Sequence, residues 1–273
     1  MERIKKGEHR LLSDVELAAS EIRTPECRVL MATRKHPNRD GNQDAAIVGC
    51  VSDAEVVLAV ADGMGGGRQA SDASRQACES LWSAILAAVD QDQAIRTGIL
   101  DGFETANRTV MDWGVGAATT LNVVHLASDV MRSYHAGDSL TMVTGSRGKL
   151  KLQTVSHSPV GYGVAAGLLN EDEALVHQER HLVSNMIGDA EMRIDVGSQL
   201  QLAARDTTLL ATDGLTDNLS VDEIVARIRS GPLDQAAAAL DRRVVERMDD
   251  PEATPSKPDD TTFILVRRRP ESK

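Results

Sequence analysis

Val57-Leu58-Ala59-Val60-Ala61-Asp62-Gly63-Met64 and Thr208-Leu209-Leu210-Ala211-Thr212-Asp213-Gly214-Leu215 share one design, an apolar strand-like run that ends in an Asp-Gly pair. A buried strand that delivers a carboxylate, followed by the residue with the freest backbone, presents an oxygen ligand at the rim of a sheet. Ala136-Gly137-Asp138 stands between two short apolar runs, and Asp259-Asp260 directly precedes Thr261-Thr262-Phe263-Ile264-Leu265-Val266. Apolar strands flanked by aspartate at four separate places predict a site assembled from distant parts of the chain. Its chemistry should be that of hard metal cations.

Composition narrows the function. A chain of 273 residues has room for one ample hydrophobic core. Its two tryptophans, two tyrosines and two phenylalanines leave that core to Ala, Val, Leu, Ile and Met. The same scarcity argues against a nucleic-acid groove, which needs aromatic platforms for bases. A formal net charge of −11 is also the wrong sign for a phosphate-backbone binder. Cys27, Cys50 and Cys78 have no paired metal spacing and leave an odd one over, as in a reduced, cytoplasmic protein. The amino terminus lacks the apolar core of a signal peptide, and no run approaches the roughly 18 apolar residues of a membrane span.

Residues 1–26 are charged and weakly periodic, and are expected to form a peripheral helix or loose arm. Strands are predicted at 28–32, 45–51 and 56–61. Helices follow over 71–89, with Ala73, Ala77, Leu81, Ile85 and Ala88 on one stripe, and over 93–113, with Ile95, Ile99, Phe103, Ala106, Val110 and Trp113 on another. The chain returns to strands at 119–126, 130–135 and 140–144, and Gly145-Ser146-Arg147-Gly148 reads as a hairpin turn into 149–155. Asn170 with Glu173 forms a capping-box pattern that heads a helical insertion to about 186, and Ser220 with Glu223 repeats it over 220–229. A helix over 233–247, an extended loop enforced by Pro251, Pro255 and Pro258, and a strand over 261–268 complete the chain. Paired helices after paired strands, with hairpins between, favour an α+β fold of antiparallel sheets covered by helices over a parallel dinucleotide-binding sheet. The glycine-rich run Asp62 to Gly67 lacks the lysine and hydroxyl residue of a P-loop, and neither Asp-Gly segment matches an EF-hand.

The order of motifs carries a resemblance. Arg39-Asp40-Gly41-Asn42-Gln43-Asp44, Asp62-Gly63-Met64-Gly65-Gly66, Gly116-Ala117-Ala118-Thr119-Thr120, Gly137-Asp138-Ser139, Asp213-Gly214-Leu215-Thr216-Asp217 and Asp259-Asp260-Thr261-Thr262 together resemble the PPM, or PP2C-type, metal-dependent protein Ser/Thr phosphatases, in a bacterial form. The resemblance spans about 28–268. It implies a central β-sandwich of two antiparallel sheets flanked by helix pairs, with a phosphatase domain over 27–268, a flap over about 157–189 and a tail over 269–273. It further implies two Mn2+ or Mg2+ ions bridged by Asp62, with the Gly63 carbonyl on one, and Asp213 and Asp259 completing the other. Asp44 would lie near the metals or act through water, Asp138 with Asp213 would correspond to a third, weaker site, and Arg39 would grip the substrate phosphate. The implied reaction is hydrolysis of phosphoSer and phosphoThr monoesters by in-line attack of a hydroxide bridging the two ions, without a phosphoenzyme. The implied partners are a phosphorylated protein and a cognate Ser/Thr kinase, for a cytoplasmic monomer that engages neither nucleic acid nor membrane.

The physical case runs in parallel. Phosphate monoesters resist water so strongly that enzymes supply up to about 10²¹-fold acceleration. Two cations about 3.5–4 Å apart acidify a water and neutralise the transition state. Arginine adds a planar fork for two phosphate oxygens. Three positions depart from the family pattern: Leu140 stands where an arginine is common, Gln43 where many members carry glutamate, and Met64 where a histidine occurs in eukaryotic-like members. Leu140 and Gln43 leave open a weakly active PP2C-like regulatory or binding module, and because a fold does not fix a substrate, a related metallohydrolase for a non-protein phosphoester stays open as well. Thr119 and Thr120 are read as sheet packing or hydrogen bonding. His157, His177 and His181 are read as surface or locally bonded residues.

Overall fold

The computed structural model describes residues 2–250, 252–253 and 255–269. Strands β1 (Glu2–Arg3), β2 (His9–Ser13), β3 (Leu17–Arg23), β4 (Cys27–Arg34), β5 (Asp44–Ser52) and β6 (Glu55–Met64) lead into helices α1 (Gly67–Asp90) and α2 (Ile95–Asp112). Then come β7 (Ala118–Thr119), β8 (Leu121–Ala127), β9 (Val130–Ala136), β10 (Leu140–Thr144) and β11 (Leu150–Gln153), followed by short helices α3 (Pro159–Ala165) and α4 (Glu171–Leu175). The last part holds β12 (Asp195–Val196), β13 (Leu200–Gln201), β14 (Thr207–Ala211), α5 (Asp213–Thr216), α6 (Val221–Ile228), α7 (Leu233–Asp249) and β15 (Thr261–Arg268).

These strands form two sheets. One runs β1-β3-β4-β15-β14-β10-β11, the other β12-β9-β8-β6-β5-β2 with β13 also on β9 and β7 on β6. Their pairings are antiparallel except β1 with β3. Period-two alternation sorts each strand between two cores. Along β6, Val56, Leu58 and Val60 face the other sheet, while Val57, Ala59 and Ala61 meet Leu81, Ile85, Ile99 and Phe103 of α1 and α2. Along β15, Ile264 and Val266 join the inter-sheet core, whereas Phe263 and Leu265 meet Ile224 and Leu240 of α6 and α7. The four layers are thus helix pair, sheet, sheet and helices, as expected. Each fully buried aliphatic side chain contributes about 1.5–3 kcal/mol.

Residues 1–26 are corrected. Instead of a helix or loose arm, β2 pairs with β5, and β3 with β4, burying Leu12 and Ile22. Short strands with charged residues at the sheet margins mask the alternation that marks an interior strand. The helical insertion is corrected as well. Both halves of the Asn170–Glu173 capping box form, but α4 stops at Leu175 and 176–186 runs in turns. That helix buries no residue, and a short helix without a buried face is not sustained by its cap alone. The unexpected α3 precedes it, capped by Ser158. The Ser220–Glu223 box heads α6, and the Gly145–Gly148 turn closes the β10–β11 hairpin. Of the tail, Arg269 donates its N–H to Glu26; 270–273, like Pro251, lie outside the described residues.

Candidate metal centre

The two Asp-Gly strands belong to facing sheets and end at the same edge. Asp62 and Gly63 close β6, Asp213 and Gly214 open α5 just beyond β14, and Asp259-Asp260 lead into β15. Asp44 opens β5 directly opposite Asp62 in the ladder. A cavity of about 430 Å³ collects Arg39, Gln43, Asp62, Gly63, Gly65 to Gly67, Asp138, His181, Asp213, Lys257 and Asp259.

Close approach, and not backbone freedom, explains both glycines. A Cβ on Gly63 would lie 2.1 Å from the Ala70 carbonyl oxygen, and one on Gly214 only 1.8 Å from that of Asp260. Neither adopts a positive φ. Gly137 does, at +119°, and a Cβ there would lie 2.5 Å from Thr120. The adjoining turn is held by His157, buried rather than at the surface, whose Nδ1 accepts the Gly137 N–H at 3.1 Å while Nε2 faces Asp195 Oδ2 at 3.1 Å.

Neighbouring hydroxyls fix the aspartates. Asp62 donates its N–H to Thr120 Oγ1 at 2.9 Å, and its carbonyl accepts Thr119 Oγ1 at 2.8 Å, which is the sheet hydrogen bonding expected of both threonines. Thr212 Oγ1 donates to Asp44 Oδ2 at 2.8 Å. Asp260 has a positioning task that its motif alone does not announce. Its carboxylate accepts the N–H of His36 at 2.7 Å and of Gln43 at 3.2 Å, pinning both ends of the loop that carries Arg39. The Arg39 guanidinium stands at the rim, 44% exposed and 3.5 Å from Asp259 Oδ1.

Sequence reasoning missed Lys257 as a member of the centre. Its Nζ lies 2.7 Å from Asp213 Oδ2 and 2.7 Å from Asp217 Oδ2. Burial would lower its pKa, but the Asp213 and Asp217 carboxylates together raise it. The signal available in the sequence was a lysine two residues before Asp259, within the loop that returns to the site.

The donor set suits hard divalent cations. Asp44 Oδ1 and Asp213 Oδ1 are buried without any hydrogen-bond partner among the described residues, an arrangement that costs free energy unless a cation meets it. Burial first, then repulsion from Asp213, Asp44 and Asp138, pushes the Asp62 carboxyl well above the usual range. Asp44 is raised by burial and then by Asp260, and Asp259 by burial and then by Asp213. Asp138 rises to about 8 and Asp217 to about 6, in each case through burial ahead of the Asp213 charge.

A stability test follows from those directions. The folded metal-free chain retains protons that the unfolded chain has lost, so its stability is expected to fall as pH rises from about 4 towards about 8. Thermal unfolding of chelator-treated protein across that window should show the decline, with a shallower slope in Asp138→Asn and a reversal on adding Mn2+. A midpoint that rises with pH in the chelated protein would contradict this electrostatic picture.

A two-sheet sandwich that gathers carboxylates from separate strands around one rim arginine defines an oxygen-ligand centre suited to phosphate chemistry. The family model for protein phosphatase 2C matches residues 34–243, and the chain belongs to that family. It is 30% identical over 176 residues to protein phosphatase PhpP of Streptococcus pneumoniae, a match covering 62% of this chain and 70% of that protein. The solved serine/threonine phosphatase of S. agalactiae superposes with a TM-score of 0.73 at 27% identity, over 89% of this chain and 100% of that one. The catalytic domain of the serine/threonine phosphatase PstP, solved in complex with two manganese ions, shares the fold with a TM-score of 0.69 at 22% identity, over 90% of this chain and 99% of that one. Among the described residues no helix is long and apolar enough to cross a membrane.

Proposed function

We propose that this chain is a divalent-cation-dependent phosphatase of phosphoserine and phosphothreonine in proteins, opposing a Ser/Thr kinase. The observation that carries the reading is the convergence of Asp62, Asp213 and Asp259, with the orphaned oxygens of Asp44 and Asp213, beside the Arg39 guanidinium. Asp62 is assigned to both of two Mn2+ or Mg2+ ions, the Gly63 carbonyl to one, and Asp213 and Asp259 to the other; Asp44 supports them directly or through water. When bound, such a pair acidifies the attacking water and neutralises charge on the phosphoryl oxygens. Arg39 orients the phosphate from the rim, and Asp260 anchors both ends of the loop that carries it. The flap, with α3 and α4, forms a wall of a second cavity of about 300 Å³ that reaches Asp138 and Asp213 and is lined by Leu140, Val160, Leu175 and Leu219. We assign substrate preference to that flap. The three free, buried cysteines suit a reducing, cytoplasmic setting, and the enzyme is assigned as a monomer.

The test is hydrolysis of p-nitrophenyl phosphate and of a phosphothreonine peptide in Mn2+, with and without chelator. Cleavage of both, abolished by EDTA, is the expected result; turnover indifferent to EDTA would sink the reading. Cleavage of the aryl ester alone would shift it to a non-protein phosphoester. Arg39→Ala is expected to raise KM at least about tenfold, with Arg39→Lys recovering only part, because a lone ammonium cannot hold two oxygens in one plane. An unchanged KM would remove Arg39 from the phosphate site.

A further inference from the structure

We propose that the Lys257 ammonium is a built-in cation of this centre, held on Asp213 and Asp217 beside the ground that Asp138 and Asp213 would offer a third divalent ion, so that the chain binds two exchangeable cations and not three. The inference rests on the two-cation reading above and concerns what stands beside those ions.

Three observations carry it. Lys257 Nζ is held symmetrically, 2.7 Å from Asp213 Oδ2 and 2.7 Å from Asp217 Oδ2, with Asp259 Oδ2 at 3.5 Å. Asp213 Oδ1 stays free of any hydrogen bond among the described residues for the two-ion site, whereas a further ion drawn to Oδ2, needing ligand distances of about 2.0–2.6 Å, would meet the ammonium there. The lysine is also placed by the fold. Its N–H donates to Asn218 Oδ1 at 2.8 Å, and its carbonyl accepts Asn218 Nδ2 at 2.8 Å. Asn218 is buried and tied in turn to the Gly214 carbonyl at 2.8 Å, so the Lys257 backbone is registered against the Asp-Gly segment itself. Pro258 then restricts Lys257 to extended backbone. With the Lys257 side chain only 22% exposed, this is no wandering surface amine.

The third observation concerns charge. Asp138, the other carboxylate expected at a third site, shares the cavity with Asp213 and Lys257. The same Asp217 Oδ2 also has Arg180 of the flap near it, with Nε at 4.0 Å. Asp217 therefore has two protein cations beside one oxygen, and a further divalent ion there would meet repulsion from both. A tethered ammonium supplies one positive charge at no cost in ion concentration. It also makes the local charge independent of divalent-ion supply.

Manganese counting tests this without reference to turnover. Metal-free protein is titrated with Mn2+ while free Mn2+ is read by electron paramagnetic resonance, for wild type, Lys257→Met, Lys257→Gln and Lys257→Arg, with thermal unfolding as the folding control. The expected result is two Mn2+ per chain for wild type and Lys257→Arg, and in the Met and Gln variants a third Mn2+ bound at least about tenfold more tightly than wild type binds one. Three ions in the wild type, or identical isotherms for wild type and both neutral variants, would overturn the Lys257 assignment and leave the two-cation reading standing. A wild type that binds no Mn2+ would overturn both.

Discussion

Asp62→Asn is expected to lower kcat/KM for a phosphothreonine peptide by at least about 10³-fold while raising the thermal midpoint of the metal-free protein. The rate loss follows from the place assigned to Asp62 between two cations, where one oxygen-donor carboxylate governs both the nucleophile and the phosphoryl charge. The stability gain follows from burial and from repulsion by Asp213, Asp44 and Asp138, which the metal-free fold must bear. The unfolded chain has this carboxyl ionised at neutral pH, so folding must either protonate it or bear the repulsion, and an amide of nearly the same shape avoids both. The two signs together separate a functional carboxylate from a structural one, because a structural aspartate would lose stability and activity in step. Steady-state kinetics and calorimetry on the chelated protein measure both. A destabilised variant with near wild-type turnover would remove Asp62 from the chemistry.

Gly214→Ala is expected to cost about 1–3 kcal/mol of stability and to reduce turnover about 10²-fold or more. The added methyl would sit 1.8 Å from the Asp260 carbonyl oxygen and 2.8 Å from Thr261 Oγ1. One of those partners is backbone, so relief requires moving the strand entry that carries Asp259 away from Asp213. Backbone strain is not the cause, because this glycine has no positive φ. Gly66→Ala offers the opposite control: its φ is +80° and nothing lies within 4 Å of its Cβ, so its cost is conformational and should leave the aspartates in register. Chemical denaturation with parallel kinetics distinguishes the two, and a Gly214→Ala enzyme equal to wild type in both would contradict the close-packed junction described here.

Much of this architecture is legible in the chain because strand alternation and helical stripes are local. The Ala73 to Ile85 and Ile95 to Val110 stripes sit in the core between α1, α2 and the eight-stranded sheet, and Ala88 is buried as well. The rhyme of the two Asp-Gly strands is legible too, since each needs glycine to let another segment's backbone approach. Lys257 is not, because its importance arises only when the Asn218 side chain, in the turn after α5, clasps the backbone just ahead of β15. Asp260 is legible as a neighbour of Asp259 but not as the anchor of the Arg39 loop, a contact spanning more than two hundred residues. The β2 and β3 strands escape notice because marginal strands tolerate charge. The 170–186 segment misleads in the other direction, since a capping box records how a helix would start and says nothing about what would bury its face.

The central claim is that Asp62 stands between two divalent cations at the meeting edge of the two sheets. Anomalous diffraction from crystals of the wild-type chain grown in MnCl2 tests it most directly. Two manganese peaks about 3.5–4 Å apart are predicted, both within ligand distance of the Asp62 carboxylate. A single peak that avoids Asp62, or manganese bound only elsewhere on the chain, would contradict it.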